Sequence, residues 1–404
     1  MPRNGFCLFP PFLFYLIRLS KKPSEHKHLE SLKLLCYTAS KGVTVSIKNT
    51  HDAIKTILKS RSTLGVIPPD FDMNAWDEGV VKSTGHCHFL QSGEWAKVKS
   101  QTAWQARALI IEDDKKTYPM LVYSRSTPVF GRLHYIPKLS SLSSIDVAPL
   151  TLKLKNSIQR GVAICIEIDS IFSQELHQEL AKNDWRSASS VQYDHTVLVD
   201  LSQPDEALRS SFKKRARWEI SASQRRGVVV ERIECNRENL ELMYGMLKLT
   251  AERGHFRTRG KVFSNSYWHL FSREGKGFLY QARHEHDILS MAYVILIGPR
   301  AYYKDGASTR EKANLFASRY LQWGIMRDLR SLGCCVYDLG GVISPEKTDN
   351  KNKGIFTFKT GFGEPVRLQG AYDLPLTGRR YGVWKKFEPK LLKLYLAARD
   401  DLWY

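Results

Sequence analysis

Two rounds of strand and helix patterns, set out in similar order, constrain this chain more than any other feature. In the first round, strand-like runs at 106–112, 118–123 and 162–168 are interrupted by a helical pattern at 150–160. In the second, helical patterns at 240–253 and 266–271 precede strands at 277–282, 288–297 and 301–305, then a helix over 315–332 and a strand over 334–339. No residue-level repeat accompanies this order. What recurs is an architecture, a duplicated α/β unit, and 404 residues leave room for two or three domains.

The strand over 334–339 ends in the paired glycine of YDLGGV, and after a polar loop comes GIFTFKTGFG. The second glycine-rich turn presents one lysine, Lys359, between Phe358 and Phe362. Glycine permits backbone conformations and close approaches that side chains forbid. A lone ammonium between aromatics at such a turn therefore reads as placed, the alternative being a solvated lysine on a hairpin.

Charge narrows the partners. Lys and Arg number 61 against 41 Asp and Glu, a net +20. Such an excess suits polyanions, whether nucleic acid, nucleotide diphosphates or anionic lipid, because neutralised phosphates release their counterions. The basic groups are densest over 211–227, which holds Lys213, Lys214, Arg215, Arg217, Arg225 and Arg226. Phe212, Ala216 and Ile220 would form an apolar stripe at helical spacing. The run is then either a solvated helix face or a track for nucleic acid or lipid headgroups.

The seven cysteines are odd in number and hold no C-x-x-C, and Cys165 and Cys334 sit in apolar strand-like runs, as reduced core residues of a cytoplasmic protein do. The pairs His86 and His88, and His284 and His286, lack a third ligand at zinc-like spacing, so no metal is expected. The apolar run at 6–17 contains Pro10-Pro11 and falls short of the roughly 20 residues that cross a bilayer. A short helix is expected around 53–59, and Pro68-Pro69 reads as the linker to the catalytic body.

Several segments, in order, resemble the Fem family of aminoacyl-tRNA-dependent peptidyltransferases, which build the interpeptide bridge of bacterial peptidoglycan. FLQSGEWAKVK (89–99) is similar to the family's Q-S-x-x-W-x-x-x-K opening, and YIPK (135–138) to its Y-x-P-R-G-P segment. VDLS (199–202) leads into the basic run, and TAERGHFRTRGKVF (250–263) is similar to R-x-G-F-x-x-R-x-x-x-Y/F. The YKDGAS turn (303–308), the LQWGIM helix and F-K-x-x-F-G complete the series, which covers most of 75–376. Lys138-Leu139-Ser140 replaces R-G-P, Phe263 stands where Tyr is frequent, and the long helical-hairpin arm of some members is absent.

The resemblance implies an α/β (α+β) fold of two tandem acetyltransferase-like (GNAT-type) domains, at 75–198 and 199–363. Residues 364–404 would pack back on the first, and 1–74 form an extension with no assigned structure. It implies amino-acid transfer from aminoacyl-tRNA to the stem-peptide amine of UDP-MurNAc-pentapeptide or lipid II, the alternatives being a coenzyme A-dependent N-acyltransferase of the same fold or a non-catalytic relative that binds nucleic acid or membrane. Lys359 would stabilise the tetrahedral oxyanion and Phe358 would shape a dry site around it. Lys99 and Arg259 would hold the acceptor diphosphate, with a helix-surface lysine as the alternative for Lys99, and Tyr135, Tyr302 and Tyr303 would bond its sugar or peptide. Lys213, Lys214 and Arg217 are candidate tRNA contacts. The junction DGASTREKANLFAS (305–318) has one glycine where a coenzyme A pyrophosphate loop would be rich in them, and no ATP-binding loop is present, so the donor is expected to arrive activated, without a cofactor. A monomer is expected, with peripheral contact at the inner face of the membrane.

Overall fold

The computed structural model describes residues 65–67, 71–112, 116–127, 130–140, 142–346 and 353–398. The apolar run at 6–17, the helix expected at 53–59 and the Pro68-Pro69 linker lie outside the described residues.

The repeat seen in the sequence is a repeat of sheet topology. Strand β1 (Gly65–Val66) is followed by α1 (Met73–Thr84) and α2 (Gly93–Lys99), then by β2 (Gln105–Glu112), β3 (Thr117–Thr127) and β4 (Gly131–Leu139). Strands β1 to β4 pair antiparallel, and β4 then pairs parallel with β5 (Ala163–Ile171). A parallel pair needs a crossover, and α3 (Val147–Ser157) supplies it. After α4 (Gln174–Lys182), β6 (Arg186–Ala188) and β7 (His195–Asp200) the plan returns. Helices α5 (Asp205–Ser211) and α6 (Lys214–Arg225), strand β8 (Val229–Ile233), and helices α7 (Arg237–Gly254) and α8 (Lys261–Arg273) lead into β9 (Gly277–His284), β10 (Asp287–Ile297) and β11 (Arg300–Ser308). Strands β8 to β11 are antiparallel, and β11 pairs parallel with β12 (Val336–Val342) across α9 (Ala317–Ser331).

The short helix α10 (Lys353–Lys359) precedes β13 (Pro365–Pro375), which lies antiparallel between β5 and β7 and so joins the halves into one sheet, β1-β2-β3-β4-β5-β13-β7-β12-β11-β10-β9-β8. Helix α11 (Gly378–Ala398) turns back on the first half, where Tyr381 and Trp384 cluster with Leu133, Val162 and Ala163. This is a mixed α/β fold of two tandem acetyltransferase-like units. Among the described residues no helical-hairpin arm leaves the body, because α7 packs on β11 and α8 on β9. None of the described helices is long and apolar enough to cross a membrane.

Each half has its own core between sheet and helices. In the first, Val147, Leu150 and Leu154 of α3 cover Ile164, Ile166 and Ile168 of β5. In the second, Leu321, Ile325, Met326 and Leu329 of α9 form the helical stripe that meets Tyr280, Ala292 and Val294. Strand β3 is buried on both faces for most of its length, hence its continuous YPMLVY run.

Several local expectations shift. The crossover helix read at 150–160 is Val147–Ser157, and the YKDGAS turn is the second half of β11. Lys359 does not stand on a turn: IFTFK completes one and a half helical turns, with Lys359 as the last residue of α10.

Buried charges tie the halves together. Arg300 of β11 reaches Asp169 Oδ2 on β5 at 3.0 Å and Asp338 Oδ2 on β12 at 2.6 Å. Burial alone would raise Asp169; the Arg300 guanidinium and the His86 hydrogen bond outweigh it and hold the carboxyl well below the usual range. Lys276, just before β9, pairs with Asp77 of α1 at 2.7 Å and Glu94 of α2 at 2.6 Å.

Candidate active site

Asp338 organises the irregular end of β12 that meets Lys359. Its Oδ1 accepts the Gly340 N–H at 2.8 Å and the Thr196 hydroxyl, while Oδ2 takes Arg300 and, at 3.3 Å, the Tyr193 hydroxyl. Gly340 has φ +72°, a left-handed conformation that favours glycine, and a Cβ on Gly341 would come within 2.7 Å of Tyr193 Cβ. The carbonyl of the half-buried Gly341 accepts Lys359 Nζ at 2.9 Å, and the Tyr303 ring lies 5.9 Å from the ammonium. Burial pushes the Lys359 ammonium down to about 8, with the Asp338 charge opposing part of the fall. The result is a half-buried cation with an easily displaced partner, the arrangement that stabilises a developing oxyanion.

A seven-residue helix is marginal alone, and α10 is held from outside. Arg319 of α9, fixed by Glu219 of α6 at 2.8 Å, donates to the carbonyls of Thr357 and Phe358 near the end of α10, where the helix dipole also favours a cation. Its guanidinium stacks 4.8 Å from the Phe358 ring, which meets Phe362 edge-on. The Phe358 ring is thus held between Arg319 and Phe362, one residue before Lys359.

The acceptor candidates fall into three groups. Tyr303 is beside Lys359. Arg259 lies over Trp95 and Phe263, 5.7 and 5.0 Å from the ring centres. The β10–β11 register slips between Tyr293 and Val294, opposite Asp305 and Tyr303, so Lys304 is the extra residue of a β-bulge. The bulge turns Lys304 over the Tyr267 ring at 4.8 Å, with Asp305 at 3.2 Å. Burial pushes Lys304 down, Asp305 opposes, and Arg259 is close enough to add to the fall. Lys304 is thus a second cation near Arg259 that the sequence reading passed over inside YKDGAS.

Tyr135 and Lys99 form the third group. Both are buried; Lys99 Nζ and the Arg125 guanidinium flank the Trp104 ring at 5.7 and 5.8 Å, and that ring is 6.3 Å from Tyr135. The Tyr135 hydroxyl donates to Glu167 at 2.8 Å, and Glu167 also accepts the Val191 and Gln192 N–H groups. Tyr193, next in the chain, carries this contact track to Asp338. Tyr302 faces the interior: its hydroxyl donates to the Cys87 carbonyl at 3.1 Å and its ring packs on His88, Phe89 and Arg300.

The basic run forms α6, with Phe212, Ala216 and Ile220 buried and Lys213, Lys214 and Arg215 exposed. Lys213 donates its backbone N–H to Gly361, so α6 begins against the turn that follows Lys359; its ammonium pairs with Glu364 at 3.2 Å. Arg217 donates to the Ser210 carbonyl at 2.6 Å and lines an open groove with Arg209, Trp323 and Arg327. At the N-terminus of α9, where a coenzyme A pyrophosphate loop would lie, Phe316 adopts φ +54° and packs against Trp218 and Arg226. Among the described residues no group of three His, Cys, Asp or Glu side chains is placed to hold a metal.

The chain is similar to several known proteins. The family described as acetyltransferase (GNAT) domain matches residues 210–352. The lipid II:glycine glycyltransferase of Staphylococcus saprophyticus is 24% identical over 417 residues, spanning 82% of this chain and 99% of the relative. The enzyme of the same name from Staphylococcus epidermidis is 21% identical over 408 residues, spanning 81% and 98%. A crystal structure of FemX superposes with a TM-score of 0.70 at 20% identity, over 77% of this chain and 98% of that one. Motif order, fold and full-length relatives point the same way: over most of its length this chain is similar to the lipid II:glycine glycyltransferases and shares its fold with FemX.

Proposed function

We propose that this enzyme transfers an amino acid, glycine in the first instance, from aminoacyl-tRNA to the stem-peptide amine of a peptidoglycan precursor, lipid II or UDP-MurNAc-pentapeptide, at the cytoplasmic face of the membrane. The two staphylococcal relatives named for glycyl transfer to lipid II support the acyl group and the acceptor. The observation that carries the chemistry is Lys359, a half-buried cation whose single hydrogen-bond partner among the described residues is a backbone carbonyl.

The acceptor amine attacks the ester carbonyl, a C–N bond forms, and the carbonyl oxygen becomes an oxyanion beside the Lys359 ammonium. Collapse breaks the ester C–O bond, and the proton lost by the amine ends on the departing ribose hydroxyl. A cation fixed in a low-dielectric pocket stabilises that oxyanion far better than mobile water. Phe358 excludes water, Tyr303 orients the acceptor, and Arg259 with Lys99 binds its diphosphate. Helix α6 offers phosphate contacts to the tRNA through Lys213, Lys214 and Arg217.

Incubating the protein with glycyl-tRNA and either acceptor should yield a glycyl-extended stem peptide, whereas acetyl-CoA should yield no acetylated product. Efficient acetylation without tRNA would overturn the donor assignment in favour of a coenzyme-dependent N-acyltransferase, the reading that the acetyltransferase domain match favours.

A further inference from the structure

The segment that carries Arg259 shows water an unusual mixture. From Arg253 to Val262 the chain reads RGHFRTRGKV, with Arg253, Arg257, Arg259 and Lys261 and no carboxylate. Within it Phe256 is 44% and Val262 86% exposed, and Leu242 and Leu249, two turns apart on one face of α7, are also exposed. The cations are anchored on the protein side: Arg253 donates to the Thr309 carbonyl at 3.1 Å, and Lys261 pairs with Glu241 at 2.5 Å. The fold therefore holds the loop firmly while leaving its large apolar groups outside the core.

Apolar side chains set among like charges are disfavoured in water and suited to one kind of surface, the boundary between anionic headgroups and acyl chains. There the cations meet lipid phosphates and the apolar groups leave water, and each contribution is marginal without the other. Nucleic acid would match the arginines and Phe256, but the aliphatic Val262, Leu249 and Leu242 have no counterpart in it.

We infer that residues 253–262 dock the enzyme on an anionic bilayer, where Phe256 and Val262 enter the headgroup boundary and bring Arg259 level with the diphosphate of a lipid-linked acceptor. This rests on the acceptor reading above, since a diphosphate held at the membrane surface is what such a loop would present to Arg259.

The test is co-sedimentation of the full chain with phosphatidylcholine vesicles with and without phosphatidylglycerol, alongside transfer assays on vesicle-borne lipid II and soluble UDP-MurNAc-pentapeptide. Binding should need the anionic lipid, weaken with salt, and fall about tenfold or more in Phe256→Ser/Val262→Ser. That variant should also turn over lipid II more slowly while treating the soluble acceptor as the parent does. Val262→Asn, at the most exposed position, gives a smaller loss of the same kind and guards against misfolding of the double variant. A parent that ignores anionic vesicles, a double variant that binds them equally well, or a loss of tRNA affinity with vesicle binding unchanged would each overturn the surface. Vesicle binding that behaves as expected in a protein that transfers to neither acceptor would retain the surface and reject the acceptor reading.

Discussion

Raising the pH should limit transfer through a single proton. The Lys359 ammonium is pushed from its ordinary 10.5 to about 8 by burial. If that cation stabilises the oxyanion, turnover follows its protonated fraction: about 0.9 at pH 7, about one half at pH 8 and about one tenth at pH 9. The attacking amine works unprotonated, so its own rising limb multiplies this fraction, and the observed rate stops climbing near pH 8, where Lys359 begins to lose its proton. Lys359→Met should remove that break and lower the plateau by about 10²- to 10³-fold, the loss typical of one oxyanion donor. Asp338→Asn removes the negative charge that partly supports the ammonium and should move the break to lower pH. Single-turnover transfer of labelled glycine from glycyl-tRNA, corrected at each pH for spontaneous ester hydrolysis, reads all three. A parental rate that keeps climbing through pH 9 would refute the cationic role and make Lys359 a base, and a break that survives in Lys359→Met would assign it to another group.

Lys99→Ala and Arg259→Ala should raise KM for the diphosphate acceptor with little change in kcat; an unchanged KM in both variants would remove the phosphate assignment. Replacing Lys213, Lys214 and Arg217 together should weaken tRNA binding and flatten its salt dependence while leaving the acceptor KM alone, whereas an unaltered salt slope would make α6 a solvated face only. His134, buried between the Ser124 hydroxyl and the Arg160 carbonyl, is pushed by burial from 6.5 to about 4. Its folded pKa is depressed, so the stability it contributes is complete above pH 6.5 and is lost as pH falls towards 4, a total of about 3 kcal/mol. Urea titrations of the parent and His134→Gln at neutral and acid pH isolate that contribution; equal acid sensitivity in both would disprove it.

The sequence carried the repeated topology because its signals are local. Strands β10 and β11 lie within a few residues of the runs read at 288–297 and 301–305, and α9 follows its stripe of Leu321, Ile325 and Leu329. Strand β13 was not legible as a strand: VRLQGAYDLP contains Gly370 at φ +86°, and its partner β5 is about two hundred residues away. The Asp338 network was invisible for the same reason, since Arg300 meets Asp169 and Asp338 from 131 and 38 residues away. Lys304 was hidden by a bulge, which only the partner strand defines. Lys359 was singled out by its glycines and aromatics, although its helix depends on Arg319, a contact that no local pattern encodes.

The thirteenth strand made occupies the sixth place in the sheet. During synthesis, β5 and β7 must therefore wait with open edges, each a template for pairing with another chain, until residues 365–375 arrive to close them. The second half-core can assemble beforehand, but the first still awaits Tyr372 and Leu374 of β13, and the seam that aligns Asp169 with Arg300 closes late and through contacts of long sequence separation, which makes this step slow. A nascent chain stopped just before Pro365 would carry Lys359, Arg259 and the second core, with the first core unfinished, and would still lack a single defined active site. Its predicted fate is edge-to-edge aggregation, and a synthetic peptide spanning β13, supplied in trans, is the reagent expected to prevent it.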